Sequence, residues 1–366
     1  MAIHIPKLQK KFLRPAFDSL YANKPVVYTR DAKSMQEIKT VLITGITGFV
    51  GSHLAEYVLA EHPDVKVVGL ARWRSPKDNI EGILDKIQLV YGDLEDLPSL
   101  LALLSKERPD AIFHLAAQSY VDFSFISPIT TLESNVIGTA NLLEAVKSLK
   151  TSSDYDPVIH ICSSSEVYGQ VKEDEVPIKE SNTFRPASPY AVSKVGEDML
   201  GQQYWLSWKI KTIRTRMFTH TGPRRGDVFA ESNFAKQIAA IEAGVQPPVV
   251  KVGNLDSVRT FSDVRDAVRA YWMLVEKCTP GEVYNVGGVE TMTVGEMLDK
   301  LIAMSKVKDI KVEIDQARLR PSDVTLQIPS IDKFQKETGW KPEIPFNVTL
   351  KDMLDYWREY YAKQTR

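Results

Sequence analysis

The chain has 366 residues, of which 43% are hydrophobic and 25% are charged, and this is ordinary for a globular protein of one large or two closely joined domains. Its formal net charge of −1 excludes a general attraction to nucleic acid or acidic membranes, and no apolar stretch approaches the roughly 20 residues that a membrane span needs. With only two cysteines, Cys162 and Cys278, a disulfide framework is excluded and a reducing compartment is indicated.

The first 37 residues precede the first predicted strand and lack the continuous apolar run of a signal peptide. This N-terminal appendage, 1–37, mixes basic and aromatic residues, as a segment that packs on the body or on a neighbouring subunit would. A mitochondrial presequence is the weaker alternative. We therefore expect a cytoplasmic protein.

From residue 38 onward, short apolar runs alternate with longer helical patterns. We predict strands at 40–44, 65–70, 87–91, 111–116, 158–162 and 212–217, and helices at 51–60, 96–107, 128–149, 188–208 and 347–363. This alternation indicates an α/β fold with a Rossmann-like, doubly wound parallel sheet. The pattern becomes irregular after Phe218, so we assign 38–218 to the Rossmann domain and 219–366 mainly to a smaller mixed α/β C-terminal domain. Parts of 258–290 are expected to rejoin the first domain.

A glycine-rich turn joins the first strand to its helix. The spacing of its three glycines allows a tight turn, close approach of the backbone to a diphosphate, and close packing of helix on strand. The helix N-terminus adds N–H groups and a positive dipole end. The residues that we assign to this dinucleotide site are Gly45, Thr47, Gly48, Phe49, Val50 and Gly51.

The residues after the second strand indicate which dinucleotide binds. NAD sites place an acidic residue there for the ribose hydroxyls, whereas NADP sites place an arginine for the 2′-phosphate. Arg72 and Arg74 follow this strand without an acidic residue, which favours NADP with Arg72 as the leading ligand. Solvated surface arginines are the alternative. After the third strand, Asp93 is either a ligand of the adenine amino group or the cap of the next helix.

A tyrosine and a lysine lie four residues apart at the start of the helix predicted over 188–208. Pro189 favours a helix start, and the interval places Tyr190 and Lys194 on one helical face. A lysine beside a tyrosine lowers the pKa of the phenol, so the phenolate can take a proton from a sugar hydroxyl as hydride leaves the carbon. A purely structural pair is the alternative.

The fifth strand ends in a run of serines and a glutamate. Because ligands of such sheets bind beyond the carboxyl ends of the strands, Ser164 and Glu166 are expected to border the site. Ser164 is a candidate proton relay with Tyr190. Glu166 is a candidate base for a carbon acid, or the acid that protonates a leaving hydroxyl; a structural cap or ion pair is the alternative.

Five segments resemble GDP-mannose 4,6-dehydratases and their close relatives, within a similarity that spans residues 38 to 362. They read TGITGFVGSHLAEYVL, FHLAAQSYVD, CSSSEVYG, YAVSK and VGNLDSVRTFSDVRDAVRAYW. The stretches ARWRSPKDNI, HICSSSEVYG, THTGPRRGDVFAES and IEAG are similar to the branch that acts on GDP-manno-heptose. The resemblance implies an extended short-chain dehydrogenase/reductase that works as a GDP-sugar 4,6-dehydratase (a lyase), uses NADP, and forms a homodimer or homotetramer.

The same resemblance implies roles for particular residues. Tyr190 and Lys194 form the oxidation pair, Glu166 takes the C5 proton, and Ser164 stands where many members carry threonine. Cofactor contacts are implied for Tyr190 and Lys194 as well, and further ones for Asp93, Leu94, Leu115, Ala116, Ala117, His220 and Arg225. Substrate contacts are implied for Ser119, Thr219, Arg259 and Arg320. Arginine suits the diphosphate because its planar fork binds two phosphate oxygens at once.

Two features depart from the family pattern. Phe218-Thr219-His220 stands where many relatives have Phe-Asn-His, so a contact expected of asparagine falls to Thr219. The 37-residue appendage has no counterpart in the pattern. Arg224, beside Arg225, is a candidate ligand of cofactor or substrate, with a loop-surface role as the alternative for one of the two.

Three other functions compete with the dehydratase. A reductase of GDP-4-keto-6-deoxymannose comes first, because its family shares the strand-end motif and the Tyr–Lys pair; Glu166 therefore does not separate the two, and the GPRRGDVF stretch favours the dehydratase. A UDP-sugar 4-epimerase ranks below the reductase, because epimerases usually carry a small residue where this chain has Glu166. A non-catalytic NADP-binding protein is disfavoured by the intact set of candidate catalytic residues. The six histidines lack the spacing of metal ligands, so we expect no metal.

Overall fold

The computed structural model describes residues 37–319 and 324–364. The strands are β1 Thr40–Thr44, β2 Lys66–Ala71, β3 Gln88–Tyr91, β4 Ala111–His114, β5 Val158–Ser164, β6 Lys211–Met217, β7 His220–Thr221, β8 Val249–Val252, β9 Val258–Asp263, β10 Val283–Val286, β11 Glu290–Thr293, β12 Lys311–Ile314 and β13 Leu326–Gln327. The α-helices span Phe49–Glu61, Leu97–Glu107, Val121–Ile126, Pro128–Leu132, Gly138–Ser152, Pro189–Trp208, Ala230–Glu242, Val264–Lys277, Val294–Ala303, Asp332–Thr338 and Phe346–Gln364. None of the helices described in these two ranges has both the length and the apolar character that a membrane span requires.

Seven parallel strands form the main sheet, in the order β10-β6-β5-β4-β1-β2-β3. In register, Val41 of β1 lies opposite Val67 of β2 on one side and Ala111 of β4 on the other. This sheet confirms the predicted doubly wound α/β fold. All six predicted strands are present, although β4 ends at His114 and β5 continues to Ser164.

Helices cover both faces of this sheet, because successive strand side chains point to opposite sides. Val41 and Ile43 belong to the core beneath the helices Phe49–Glu61 and Val264–Lys277. Leu42 between them belongs to the core beneath Leu97–Glu107 and Gly138–Ser152. Each fully buried aliphatic side chain of this kind contributes about 1.5–3 kcal/mol. The continuous apolar strands of the sequence follow from burial on both faces.

The helix predicted over 128–149 is interrupted. Its path runs as the helix Pro128–Leu132, a wider π-helical turn Glu133–Ile137, and the helix Gly138–Ser152. The side chain of the buried Asn135 in the wider turn accepts a hydrogen bond from the Gln118 backbone N–H (2.7 Å) and donates one to the Ser193 hydroxyl (2.8 Å). Single π turns of this type often occur at functional sites.

A smaller layer follows the main sheet in sequence. β9 pairs with β11, β13 and β7, and β8 pairs with β12. The helices Ala230–Glu242 and Phe346–Gln364 share an apolar core with β8 and β9. Between β9 and β11 the chain returns to the main sheet, where β10 pairs with β6 as its edge strand. Residues from Glu37 onward form one compact unit. The predicted division into a cofactor-binding half before residue 219 and a substrate-binding half after it therefore stays a prediction.

Candidate active site

A cleft of about 1260 Å³ opens at the carboxyl ends of the parallel strands. Residues that directly follow β1, β2, β3, β4 and β5 line it. From the neighbouring strands β1 and β4 the sheet continues in opposite directions, to β2 and to β5. Doubly wound sheets bind ligands at this reversal of strand order, which makes the cleft the candidate active site.

The glycine turn borders the cleft in a shape that side chains would prevent. Gly45 has a φ of +71°, and its carbonyl oxygen accepts a hydrogen bond from the Gly48 N–H at 2.9 Å. A Cβ atom on Gly51 would stand 2.2 Å from the Gly45 oxygen, so helix and turn approach this closely only without one. No acidic residue lies in the first turn of the helix Phe49–Glu61. The cradle therefore fits the diphosphate of a dinucleotide.

A buried hydrogen-bond chain fixes the ends of β1 and β4 beside this turn. The Thr44 hydroxyl accepts from the Leu115 and Ala116 amides, both at 3.1 Å, so its own hydrogen points to His114 Nδ1 at 3.0 Å. His114 Nε2 then donates to the Thr139 hydroxyl at 2.9 Å. Burial, helped by the charge of Lys194, lowers the pKa of His114 to about 3, so the ring stays neutral. Leu115, Ala116 and Ala117 line the cleft from this anchored segment.

The two arginines after β2 are placed differently. Both arginines are exposed, but only Arg72 lines the cleft. Asp93 and Leu94 line the cleft after β3. Of the two alternatives for Asp93, the helix cap is wrong, because Asp96 accepts the capping hydrogen bond from the Ser99 backbone N–H.

Tyr190 and Lys194 lie at the start of the helix Pro189–Trp208, which Ser188 caps by accepting from the Ala191 amide at 3.0 Å. Lys194 Nζ stands 5.9 Å from the centre of the Tyr190 ring. Burial raises the pKa of Tyr190, while the positive charge of Lys194 and a hydrogen bond with the Ser164 hydroxyl oppose that rise. The helix thus aligns these side chains at one wall of the cleft.

Lys194 is held by a carboxylate that sequence analysis missed. Its Nζ donates to the Cys162 carbonyl oxygen and to Glu197 Oε2, both at 2.9 Å. Burial would lower the pKa of Lys194, but the interactions with Glu197, Tyr190 and Cys162 together outweigh burial and raise it, so the ammonium is retained. Burial in turn raises the pKa of Glu197.

Glu166 follows β5 and lines the same cleft. Its backbone N–H donates to the Ser164 hydroxyl at 3.2 Å. Its carboxylate accepts a hydrogen bond from Gln327 Nε2 at 3.1 Å, and Arg259 Nη1 lies 3.9 Å away. Gln327 comes from β13, 161 residues further along the chain, and no sequence pattern marked it.

The segment from β7 to Phe229 adds arginine side chains and unpaired polar atoms. Arg225 stacks over Phe229 at 3.5 Å, and the His220 ring stacks on Phe49 at 6.0 Å. His220 Nδ1 bonds to the Phe218 carbonyl oxygen at 3.1 Å, while burial and the charge of Arg225 lower its pKa to about 4. Among the described residues, the buried His220 Nε2 and Arg225 Nε have no hydrogen-bond partner. Such atoms fit a polar ligand such as a dinucleotide.

Arg224 differs from its neighbour Arg225 in being paired. Its guanidinium donates to both Glu56 carboxylate oxygens, at 2.8 and 2.6 Å, and to the Asn79 carbonyl oxygen. It therefore ties the loop after β7 to the helix Phe49–Glu61. Ser119 and Thr219 also line the cleft.

Of the predicted site residues that the structure describes, Arg74 is not brought to the cleft. The prediction for Arg320 falls in 320–323, outside the described residues. Arg318, two positions before Arg320, lines the cleft and donates to Asn233 Oδ1 at 2.8 Å. Within 37–319 and 324–364, no group of three or more His, Cys, Asp or Glu side chains is arranged to hold a metal ion.

The family model described as GDP-mannose 4,6 dehydratase matches residues 42–353. The chain belongs to the GDP-mannose 4,6-dehydratase family. It is 34% identical over 353 residues to the GDP-mannose 4,6-dehydratase of Vibrio cholerae, covering 86% of this chain and 92% of that one. It is 35% identical over 317 residues to the GDP-6-deoxy-D-mannose reductase of Pseudomonas aeruginosa, covering 87% and 96%.

The fold agrees with this assignment to the GDP-mannose 4,6-dehydratase family. The solved structure of the Pseudomonas aeruginosa protein RMD, complexed with NADPH, superimposes with a TM-score of 0.76 at 32% identity. The match covers 88% of this chain and 99% of that one. Relatives of similar identity thus bear both a dehydratase and a reductase name, as the sequence analysis expected.

Proposed function

We propose that the chain is a GDP-sugar 4,6-dehydratase that converts GDP-mannose or GDP-manno-heptose into the GDP-4-keto-6-deoxy sugar. The observation that carries this proposal is the presence of two kinds of proton-transfer group in one cleft. Tyr190, with Lys194 and Ser164, suits the removal of a hydroxyl proton during oxidation. Glu166 suits the removal of a proton from carbon, which oxidation alone does not need. Because the reductase family shares this residue, the choice of the dehydratase over the reductase rests on the GPRRGDVF stretch.

The residues divide the reaction into an oxidation, an elimination and a reduction. NADP, when bound, would supply the hydride acceptor for C4 and the hydride donor for C6. Tyr190 takes the O4 proton, and Lys194 stabilises the phenolate that forms beside it. The resulting carbonyl acidifies the C5 hydrogen, and Glu166 takes that proton and gives it to the C6 hydroxyl, which leaves as water. The proton that Tyr190 took from O4 balances the one added to C5, so the net change is the loss of one water.

The two halves of the chain divide the ligands in this proposal. The Rossmann half, 38–218 with parts of 258–290, holds the cofactor, and 219–366 mainly holds the GDP-sugar. Arg259, Thr219 and Ser119 lie along the cleft where substrate would reach from the nucleotide to the sugar, and Arg320 is assigned to the same ligand by the family pattern. Arg225 and His220 present unpaired atoms to the cofactor side.

NADP, rather than NAD, is the dinucleotide that we assign. Arg72 reaches the cleft from the end of β2, where no acidic residue follows the strand. The structural relative from Pseudomonas aeruginosa carries NADPH. An arginine in this position favours the 2′-phosphate.

Replacing Arg72 with alanine is expected to weaken NADP⁺ binding about 10- to 100-fold, as loss of a charge-assisted hydrogen bond does. Binding of NAD⁺, which has no 2′-phosphate, should change little. Fluorescence titration with both dinucleotides measures this. Arg74→Ala is the matched control, because Arg74 lies outside the cleft, and its NADP⁺ affinity should match the wild type. Equal losses for both dinucleotides in Arg72→Ala would contradict the assignment.

The reductase is the second candidate, favoured by the 35% identity to the Pseudomonas aeruginosa enzyme. Mass spectrometry of GDP-mannose and GDP-manno-heptose after incubation with enzyme and NADP⁺ separates the two. Loss of one water without net NADPH accumulation supports the dehydratase and identifies its preferred sugar. No change in either sugar, with NADPH consumed when a GDP-4-keto-6-deoxy sugar is supplied, supports the reductase.

An exposed apolar surface supports the proposal of a homodimer or homotetramer. Val192, Met199 and Leu206 recur every seven residues on one face of the helix Pro189–Trp208 and are 48%, 40% and 59% exposed. The adjacent helix Pro128–Leu132 presents Ile129, 65% exposed. Patches of this kind on helices that pack side by side typically mark an interface between subunits.

Substitution of Met199 by glutamate is expected to halve the assembly, from dimer to monomer or from tetramer to dimer, because a charge at the centre of an apolar interface is desolvated without a partner. Light scattering after size exclusion measures the mass. Val245→Glu, at an exposed turn after the helix Ala230–Glu242, is the matched control and should retain the wild-type mass. A Met199→Glu protein of unchanged mass would place the interface elsewhere.

A further inference from the structure

A buried glutamine connects the candidate base to the candidate phosphate-binding arginine. Gln327 is 2% exposed and lies on β13 in register with Arg259 of β9. Its amide contacts three side chains: Ser165, Glu166 and Arg259. It lines the active-site cleft as well.

The chemistry of the partners fixes the orientation of this amide. A guanidinium group can only donate hydrogen bonds, so the Gln327 oxygen must face Arg259, whose Nη1 lies 3.0 Å away. The Ser165 hydroxyl donates to the same oxygen at 3.1 Å. The amide nitrogen is therefore left to donate to Glu166 Oε1, at 3.1 Å. A flipped amide would place its NH₂ group against the guanidinium.

The amide also holds two opposite charges at the outer limit of an ion pair, without a direct hydrogen bond between them. Arg259 Nη1 and Glu166 Oε1 stand 3.9 Å apart, beyond hydrogen-bond distance, although both side chains are mostly buried, at 13% and 16% exposure. At that burial a direct, two-pronged ion pair would be strongly favoured by charge and geometry. It would stabilise the carboxylate and make it a weaker base towards a carbon acid.

We propose that Gln327 is a positioning residue for the elimination step, which keeps the Glu166 carboxylate oriented toward the cleft and out of a hydrogen-bonded, two-pronged ion pair with Arg259. The inference rests on the proposed dehydratase function, in which Glu166 takes the C5 proton. A neutral amide is suited to this role because it holds each partner by one hydrogen bond without changing the net charge of the group.

Two substitutions of opposite electrostatic effect test this role. In Gln327→Leu, Arg259 can move onto Glu166, so the elimination should slow about tenfold. The pH below which the elimination rate declines should move down by about one unit. In Gln327→Glu, a second carboxylate stands beside Glu166, so that pH should move up by about one unit. The first hydride step should keep its rate in both.

The measurement is single-turnover kinetics of the nicotinamide absorbance across pH, with the decay phase assigned to elimination by using a substrate deuterated at C5. Gln237→Leu is the matched control, because Gln237 is also buried and hydrogen-bonded, to Asn233 and Lys251, but is not a cleft residue. It should leave the pH profile of the elimination unchanged. Opposite shifts in the two Gln327 variants support the inference.

Two results would overturn it, and they differ in meaning. If the wild type removes water but the pH profiles of the two Gln327 variants shift in the same direction, or not at all, Gln327 does not position Glu166. A wild type that removes no water from either GDP-sugar overturns the proposed function, and the role of Gln327 with it.

Discussion

Replacing Tyr190 with phenylalanine is expected to lower the rate of the first hydride step by about 10²- to 10⁴-fold, the usual contribution of a positioned acid or base. The substitution removes only the hydroxyl group, whose proton the Ser164 hydroxyl and the charge of Lys194 help to release. The ring is 8% exposed and keeps its packing, so folding should be preserved. Stopped-flow measurement of NADPH formation from GDP-mannose or GDP-manno-heptose gives the rate.

The matched control lies on the same helix. Tyr204→Phe removes a hydroxyl that donates to Glu144 and lies outside the cleft, so it should leave the hydride step unchanged. NADP⁺ affinity should stay at the wild-type value in Tyr190→Phe, because the glycine turn and Arg72 are untouched. If Tyr190→Phe formed NADPH as fast as Tyr204→Phe, another group would have to take the O4 proton.

Much of the fold was predictable because both faces of the sheet are buried. A strand covered on both sides reads as a continuous apolar run, as in Val41-Leu42-Ile43, and its ends are set by turn residues nearby in sequence. The glycine turn is equally local, since the space that excludes a Cβ on Gly51 lies six residues earlier, at Gly45. Features with a local physical cause leave a local sequence signal.

The interruption of the helix at 133–137 has a distant cause and left no such signal. No proline or glycine lies in this turn; Asn135 is instead held by Gln118 and by Ser193 of another helix. Tertiary hydrogen bonds of this kind override the helix propensity of the segment. Sequence periodicity alone therefore predicted one continuous helix.

The same reasoning separates the site residues that were predicted from those that were missed. Tyr190 and Lys194 share a helix face, and their four-residue spacing makes the pair recognisable in the sequence. Gln327 reaches Glu166 across 161 residues, from a two-residue strand without periodicity. Glu197 was within reach, since it lies three residues after Lys194 on the same helix, but an acidic residue at that spacing usually marks a solvated ion pair. Its burial is visible only in the fold.

Replacing Glu166 with glutamine should separate the oxidation from the elimination. The amide is nearly the same size and lines the cleft in the same place, so Tyr190 can still take the O4 proton and hydride can still leave C4. The amide cannot accept the C5 proton, so the elimination should slow by about 10²- to 10⁴-fold. In a single turnover, NADPH should form at the wild-type rate and then persist, and mass spectrometry should show little loss of water.

A surface glutamate close by in sequence provides the control for charge. Glu173→Gln, at an exposed position in the following turn, removes the same negative charge and should leave both phases unchanged. Normal loss of water by Glu166→Gln would assign the C5 proton to another base. Failure to form NADPH at all would place Glu166 in the oxidation step instead. If NADPH persists in Glu166→Gln and not in Glu173→Gln, the Glu166 carboxylate is the group that takes the C5 proton, because hydride transfer from C4 then proceeds without elimination.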